Sequence, residues 1–242
     1  MLVVTRGIVL HTVDYSETSL VVKVFTEQFG MQSYLAKGVR KAKSKIKRNL
    51  FGPLSLVEIT ANHKENAGLF IVRDVSCHRQ LNGIASDIQK TAVAMFINEL
   101  VYRAIQGEMH DQLLYDFLYN TITHLDKTTE PVTSFHLVFA LQLAHNLGFG
   151  PHDNYSGVTT VFDLAEAHFR QGLPDHPHYL EGNLSTLFHE LIGLNQDSPL
   201  PQGLNHTVRQ ALLEKTMEYF RLHVPSFGEM KSHHVLSEIF RD

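Results

Sequence analysis

The hydrophobic pattern of this 242-residue chain changes period near residue 85, and that change restricts the fold to a β part followed by an α part. Before it, Val3, Ile8, Val9 and Val13, then Leu20, Val21, Val22, Val24 and Phe25, then Met31, Tyr34 and Leu35 form short β-branched and aromatic runs. Turn signals at 14–16 and at Phe29-Gly30 separate them, as strands require. Two more runs, 54–59 after Gly52-Pro53 and 69–75 after Asn66-Ala67-Gly68, complete five candidate strands. Five short strands in so short a span predict a small barrel of the OB-fold type.

Beyond Ser86 the apolar residues recur at helical spacing. Ala92, Met95, Phe96, Leu100 and Ala104, with a second stripe of Val93, Ile97, Val101 and Ile105, predict a central helix buried on most sides. Asp111 is placed to cap a second helix whose apolar face carries Leu114, Phe117, Leu118, Ile122 and Leu125. A third is predicted to start around Pro131 and to stop at Gly148. Residues 148–182, rich in Gly and Pro, read as an irregular insertion with one short element at 161–168. Helices resume at 184–192, at 206–223 and from Ser232. The fold class is therefore α+β: a five-stranded OB-fold barrel over residues 1–80, then a mainly α-helical domain over 81–242.

Composition is that of an ordinary globular chain, 43% hydrophobic and 19% charged. No apolar stretch approaches the roughly 20 residues of a membrane span. MLVVTRGIVL lacks a basic leader and a small-residue cleavage site, so the expected location is cytoplasmic. The one cysteine, Cys77, excludes an internal disulfide and a cysteine-rich zinc site. At the end of the fifth strand it reads as a small buried hydrophobe, because nothing basic and helical precedes it to activate the thiol.

Charge is distributed unevenly. Residues 1–80 hold 12 Lys/Arg against 6 Asp/Glu, whereas 81–242 hold 9 against 19. Within the first part, residues 37–48 read KGVRKAKSKIKR and contain Lys37, Arg40, Lys41, Lys43, Lys45, Lys47 and Arg48, with no acid between Glu27 and Glu58. Cations so crowded repel one another unless a polyanion supplies the counter-charge, and nucleic acid is the first candidate. The run lies between the third and fourth strands, where it reads as a long solvated loop. Arg6 and Lys23 are second-tier phosphate contacts, and Tyr15 and Tyr34 are candidates for stacking on bases.

Other chemistries find little support. There is no G-x-x-x-x-G-K-[ST] stretch and no G-x-S-x-G elbow. His189-Glu190-Leu191-Ile192-Gly193 begins like a zinc-protease helix but has Gly where the second ligand must stand. His152, Asp153, His168, His176 and His178 crowd the insertion, yet their spacings match no compact ligand set, so no metal is assigned. Phe96, Phe117, Phe135 and Phe139 lie on helical stripes and read as core.

The order of short motifs resembles the RecO family of bacterial recombination mediators over most of the chain. Gly7-Ile8-Val9-Leu10, Tyr15-Ser16-Glu17-Thr18-Ser19-Leu20, Val24-Phe25-Thr26-Glu27 with Gly30, Leu35-Ala36-Lys37-Gly38-Val39-Arg40 and Lys43-Ser44 are similar to its barrel. Ile97-Asn98-Glu99-Leu100, Leu147-Gly148-Phe149 and Lys231-Ser232 with Leu236 are similar to its helical part. The resemblance implies a non-enzymatic, nucleoid-associated protein without a cofactor. It implies binding of single- and double-stranded DNA, annealing of complementary strands, engagement of the C-terminal tail of single-stranded DNA-binding protein, and help with RecR in loading RecA. It also points to a groove between the helices at 88–106 and 131–147 for that tail. Many relatives carry four cysteines as a zinc module in the insertion; residues 152–170 contain none, so packing must replace it. Relatives place basic side chains on the third helix, where this chain has Thr133, Ser134 and His136.

Two other functions compete with this reading: an RNA-handling OB-fold factor, since phosphate contacts alone do not separate RNA from DNA, and a histidine-dependent metal hydrolase built on the insertion. A scaffold with an incidental basic loop is a third.

Overall fold

A computed structural model describes residues 1–39, 45–63, 68–105, 107 and 110–241. Five strands, β1 (Leu2–Asp14), β2 (Leu20–Thr26), β3 (Gly30–Ala36), β4 (Leu56–Asn62) and β5 (Phe70–Arg79), close a barrel in the order β1-β2-β3-β5-β4. All neighbours are antiparallel except β3 and β5, which pair in parallel through Tyr34–Phe70 and Leu35–Ile71. Alternation on β2 shows how the sequence dictates this: Leu20, Val22 and Val24 are buried, while Val21 and Lys23 between them face outward. The inward residues form one core with Val9, Tyr34, Ala36, Val57, Ile59 and Phe70.

A bulge on β1 between Val9 and His11 breaks that alternation. Leu10 is buried beside Val9, and its carbonyl accepts from Asn98 Nδ2 at 2.9 Å. Asn98 Oδ1 in turn accepts from the Leu54 N–H at 3.3 Å, so one amide ties a helix to the barrel at two points.

That helix is α2 (Ile88–Ala104), preceded by the short α1 (Asn82–Ser86), which the sequence reading missed, and followed by α3 (Gln112–Lys127). Asp87 caps α2 through the N–H groups of Gln89 and Lys90, and Asp111 caps α3 through that of Leu114, as its position predicts. α2 is buried over most of its circumference, with one correction: Met95 is exposed. At about 100° per residue it shares an outward stripe with the part-exposed Thr91, Glu99 and Tyr102, not with the core positions. Lys90 is buried yet satisfied, donating to the carbonyls of Asp126 (3.1 Å) and Thr128 (2.7 Å).

The chain divides into two compact units, Met1–Thr128 and Thr129–Asp242. The second contains α4 (Phe135–Asn146), β6 (Val161–Asp163), β7 (His168–Arg170), β8 (Tyr179–Leu180), α5 (Gly182–Ile192), α6 (His206–His223) and α7 (Ser232–Ile239). α4 starts at Phe135, four residues later than Pro131 suggests. The Phe135 N–H bonds the Val132 carbonyl at 3.2 Å in a tight turn, so the helical ladder opens only with the Ser134 carbonyl. Its end is as expected, with Gly148 at φ +84° and the Phe149 N–H on the Ala144 carbonyl at 3.1 Å.

The insertion is more ordered than its composition suggests. β7, β6 and β8 form an antiparallel sheet in that order. Asp163, 0% exposed, accepts from the N–H groups of Ala165 (3.0 Å) and Glu166 (3.1 Å), turning the chain from β6 into β7. Asn154 pairs with both backbone groups of Phe169, at 2.7 and 2.8 Å, much as a fourth strand would. Phe162 packs against Phe169 and Phe188 with ring centres 4.8 and 4.7 Å apart, supplying an aromatic core. Among the described residues no helix is long and apolar enough to cross a membrane.

Candidate nucleic-acid interface

The cationic segment leaves β3 at Ala36 and re-enters regular structure in a 3-10 turn, Arg48–Phe51, ahead of β4. Lys37, Lys45, Lys47 and Arg48 are exposed, whereas Val39 and Ile46 are buried in the barrel core with Phe51. A plain solvated loop is therefore corrected to a segment pinned at two apolar points. The Phe51 carbonyl accepts from Thr12 Oγ1 at 3.0 Å, fixing the return to the barrel. Arg40, Lys41 and Lys43 lie outside the described residues.

Among the described residues, Lys37, Lys45 and Lys47 make no ion pair. Arg48 faces Asp14 at 3.4 Å, but both side chains are more than half exposed, and such a surface pair contributes little. Lys23 lies on the outer face of β2, beside Ser33 and His11 in register, and is open to a ligand on that face. Arg6 is committed elsewhere. Its guanidinium grips Glu27 in a forked pair, with Nε donating to Oε2 at 2.8 Å, and the hydrogen bond to Glu27 raises the Arg6 pKa.

The two tyrosines part company. Tyr15, at the β1–β2 turn, is 63% exposed and its ring is available. Tyr34 is 0% exposed, so the expectation that it stacks on a base is corrected. Its hydroxyl lies 3.1 Å from Nε2 of His63, and His63 is sandwiched between Phe29 and Phe70, with ring centres 4.4 and 4.1 Å away. Burial pushes the Tyr34 phenol well above its usual range and lowers the His63 pKa. No sequence signal joins Phe29, His63 and Phe70; only barrel closure brings them to one end.

Cys77 is exposed, contrary to the buried hydrophobe expected, because alternation on β5 breaks over Ser76 to His78, where its pairing with β4 shifts register. The insertion histidines meet only in pairs: His152 bridges His168 along the backbone, and the rings of His176 and His178 lie 5.6 Å apart. His176 faces Asp163 at 3.4 Å, His178 bonds Glu218 at 2.6 Å, and Asp153 bonds His189 at 2.7 Å. Among the described residues no three His, Cys, Asp or Glu side chains form a metal-holding group. The residues of the insertion thus do not supply the ligand set of the zinc module that the resemblance implies for other members.

Comparison with known proteins agrees with the barrel and its helical continuation. Residues 1–81 match the family model described as Recombination protein O N terminal, and residues 85–228 match Recombination protein O C terminal. The DNA repair protein RecO of Bacteroides fragilis is 34% identical over 241 residues, covering 99% of this chain and 100% of the relative. The RecO proteins of Phocaeicola vulgatus and Flavobacterium psychrophilum are each 31% identical with the same coverage. With both halves matched and full-length relatives above 30% identity, the chain belongs to the RecO family of DNA repair proteins.

Proposed function

We propose that this chain is a recombination mediator that binds single- and double-stranded DNA through residues 1–80 and anneals complementary strands. The observation that carries this reading is the exposure of Lys37, Lys45 and Lys47 with no ion-pair partner among the described residues, on a segment anchored by Val39 and Ile46. Arg40, Lys41, Lys43 and Arg48 extend the same charge along the sequence, and Lys23 adds a further cation on the outer face of β2, whereas Arg6 is held by Glu27. Phosphates bound there release counterions, which supplies affinity without reading sequence. Annealing then needs no reacting side chain. Two strands repel through their phosphates, a bound polycation lowers that repulsion, and base pairing follows from the DNA itself.

Residues 81–242, with 19 acids against 9 bases, suit protein partners better than DNA. We assign to them the C-terminal tail of single-stranded DNA-binding protein, with RecR as the second partner and RecA loading as the outcome. A tail ending in an apolar residue and a carboxylate suits a small recess of about 20 Å³, where Arg209 stands beside Leu213, Leu236 and Phe240. Its size means that the walls must part to admit a side chain.

The test is strand annealing with and without single-stranded DNA-binding protein. Faster annealing of bare strands that persists on coated strands is expected. No acceleration of bare strands would sink the DNA reading, and loss of activity only on coated strands would sink the tail. Competition by matched RNA decides against an RNA-specific role.

A further inference from the structure

Directly after the cationic segment, the first unit carries a groove of about 440 Å³, within the range of roughly 300–1,000 Å³ typical of small-ligand sites. Asn49 and Leu50 of the 3-10 turn, Cys77 and Arg79 of β5, and Asn82 and Ile84 of α1 line it. A register shift between Leu56 and Val57 on β4 borders it, where the barrel wall departs from regular pairing.

The lining contains one cation, Arg79, and no carboxylate. Nε of Arg79 is itself buried and has no hydrogen-bond partner among the described residues, so that atom is not committed to an acceptor in the protein. A guanidinium in the lining favours a ligand that brings an anionic oxygen acceptor. On the rim, the exposed Asn49, Gln80 and Asn82 each offer an amide donor and an amide acceptor, the combination a base edge presents. Leu50 and Pro53 give an apolar surface for a base face. A cationic ligand is disfavoured by Arg79, and a purely apolar one makes no use of its charge.

Asn49 of the lining follows the exposed Lys47 and Arg48 directly in sequence, so the groove begins where the cationic segment ends. We propose that the groove binds one nucleotide of a single strand, its base against Leu50 and Pro53 within reach of the rim amides and its phosphate on Arg79. The proposal rests on the DNA-binding reading above and adds to it a discrete nucleotide site.

The chain's one cysteine lies in this groove and is exposed, so it reports occupancy directly. The experiment follows alkylation of Cys77 in the intact protein by N-ethylmaleimide, with single-stranded oligothymidylate binding monitored in parallel by fluorescence anisotropy. Alkylation is expected to slow in proportion to the bound fraction. Arg79→Gln, with its fold checked by circular dichroism, is expected to lose that protection and about tenfold in affinity, the worth of one charged hydrogen bond. Full binding with Cys77 alkylated at the free rate overturns the groove and leaves the DNA reading standing; absence of binding overturns both. Protection by a peptide with an apolar C-terminal residue, and none by the oligonucleotide, overturns it in favour of a peptide site. Should Arg79→Gln not fold, protection of the wild-type thiol decides alone.

Discussion

Val39 and Ile46, seven positions apart in the most cationic stretch of the chain, are both sealed into the barrel core, 5% and 8% exposed. Charge and anchorage therefore come from the same stretch of sequence. Ile46→Ala removes the second anchor, and a buried Ile→Ala change costs about 2–5 kcal/mol. Urea unfolding of the variant should show a loss in that range. A loss near zero would mean that the segment is held by something other than its apolar residues.

The exposed lysines set the salt dependence. Each phosphate contact on a single strand contributes about −0.7 to the slope of log affinity against log salt, so about six contacts predict a slope near −4. Replacing Lys37, Lys45 and Lys47 by Ala should flatten it by about 2. Titrations over a range of salt concentrations measure this, and an unchanged slope would remove the segment as the contact surface.

Tyr15 and Tyr34 separate stacking from structure. Stacking of a base on an aromatic ring is worth about 1–3 kcal/mol, so Tyr15→Ala should weaken single-strand binding by that amount while leaving stability unchanged. Tyr34→Phe removes only the bond to His63 and should lower stability by about 0.5–1.5 kcal/mol with DNA affinity intact. The opposite pattern in paired binding and unfolding assays would reverse the two roles.

What could be read from the sequence follows the physical range of each signal. Strands β1 to β5 were legible because Val, Ile and Phe alternate or cluster between turn residues, and α6 because its apolar spacing runs for five turns between Asn205 and Pro225. Ile46 was hidden because a single apolar residue among lysines carries no period. Met95 was misplaced because two overlapping stripes leave the outward arc of α2 ambiguous. The sheet of the insertion escaped notice since its strands span only two or three residues and depend on Asp163 and Asn154 for their pairing. The cationic stretch was evident from composition; the groove at Arg79 was not, because its walls meet only after the barrel closes.

Gly83 tests the packing that holds α1 to α3. A Cβ there would sit 1.9 Å from the Asp126 carbonyl oxygen, and Asp126 Oδ1 also accepts from the Ile84 N–H at 3.0 Å. Because the obstacle is backbone, the two helices must separate. Gly83→Ala should cost about 1–3 kcal/mol, as overpacking does. Gly68→Ala, with nothing within 4 Å among the described residues, serves as the control and should be near neutral.

Asp163 makes the insertion sensitive to acid. Burial acts to raise its pKa, but the N–H groups of Glu166 and Ala165, the charge of His176 and the Arg170 guanidinium outweigh it, and the net shift is downward from 3.8. A carboxyl whose folded pKa is depressed adds stability that is complete above its unfolded value and is lost as pH falls through the folded one. Asp163→Asn forgoes that contribution at every pH and turns an N–H group toward Arg170 and His176. At neutral pH the variant should be less stable by about 1.5–3 kcal/mol, the range for hydrogen bonds to a charged group. The gap should narrow below roughly pH 4, because the wild type alone has a carboxylate to protonate there. Urea unfolding of both proteins across an acid series measures the gap. If it stays the same at the lowest pH at which both fold, the Asp163 carboxylate is not what stabilises the turn.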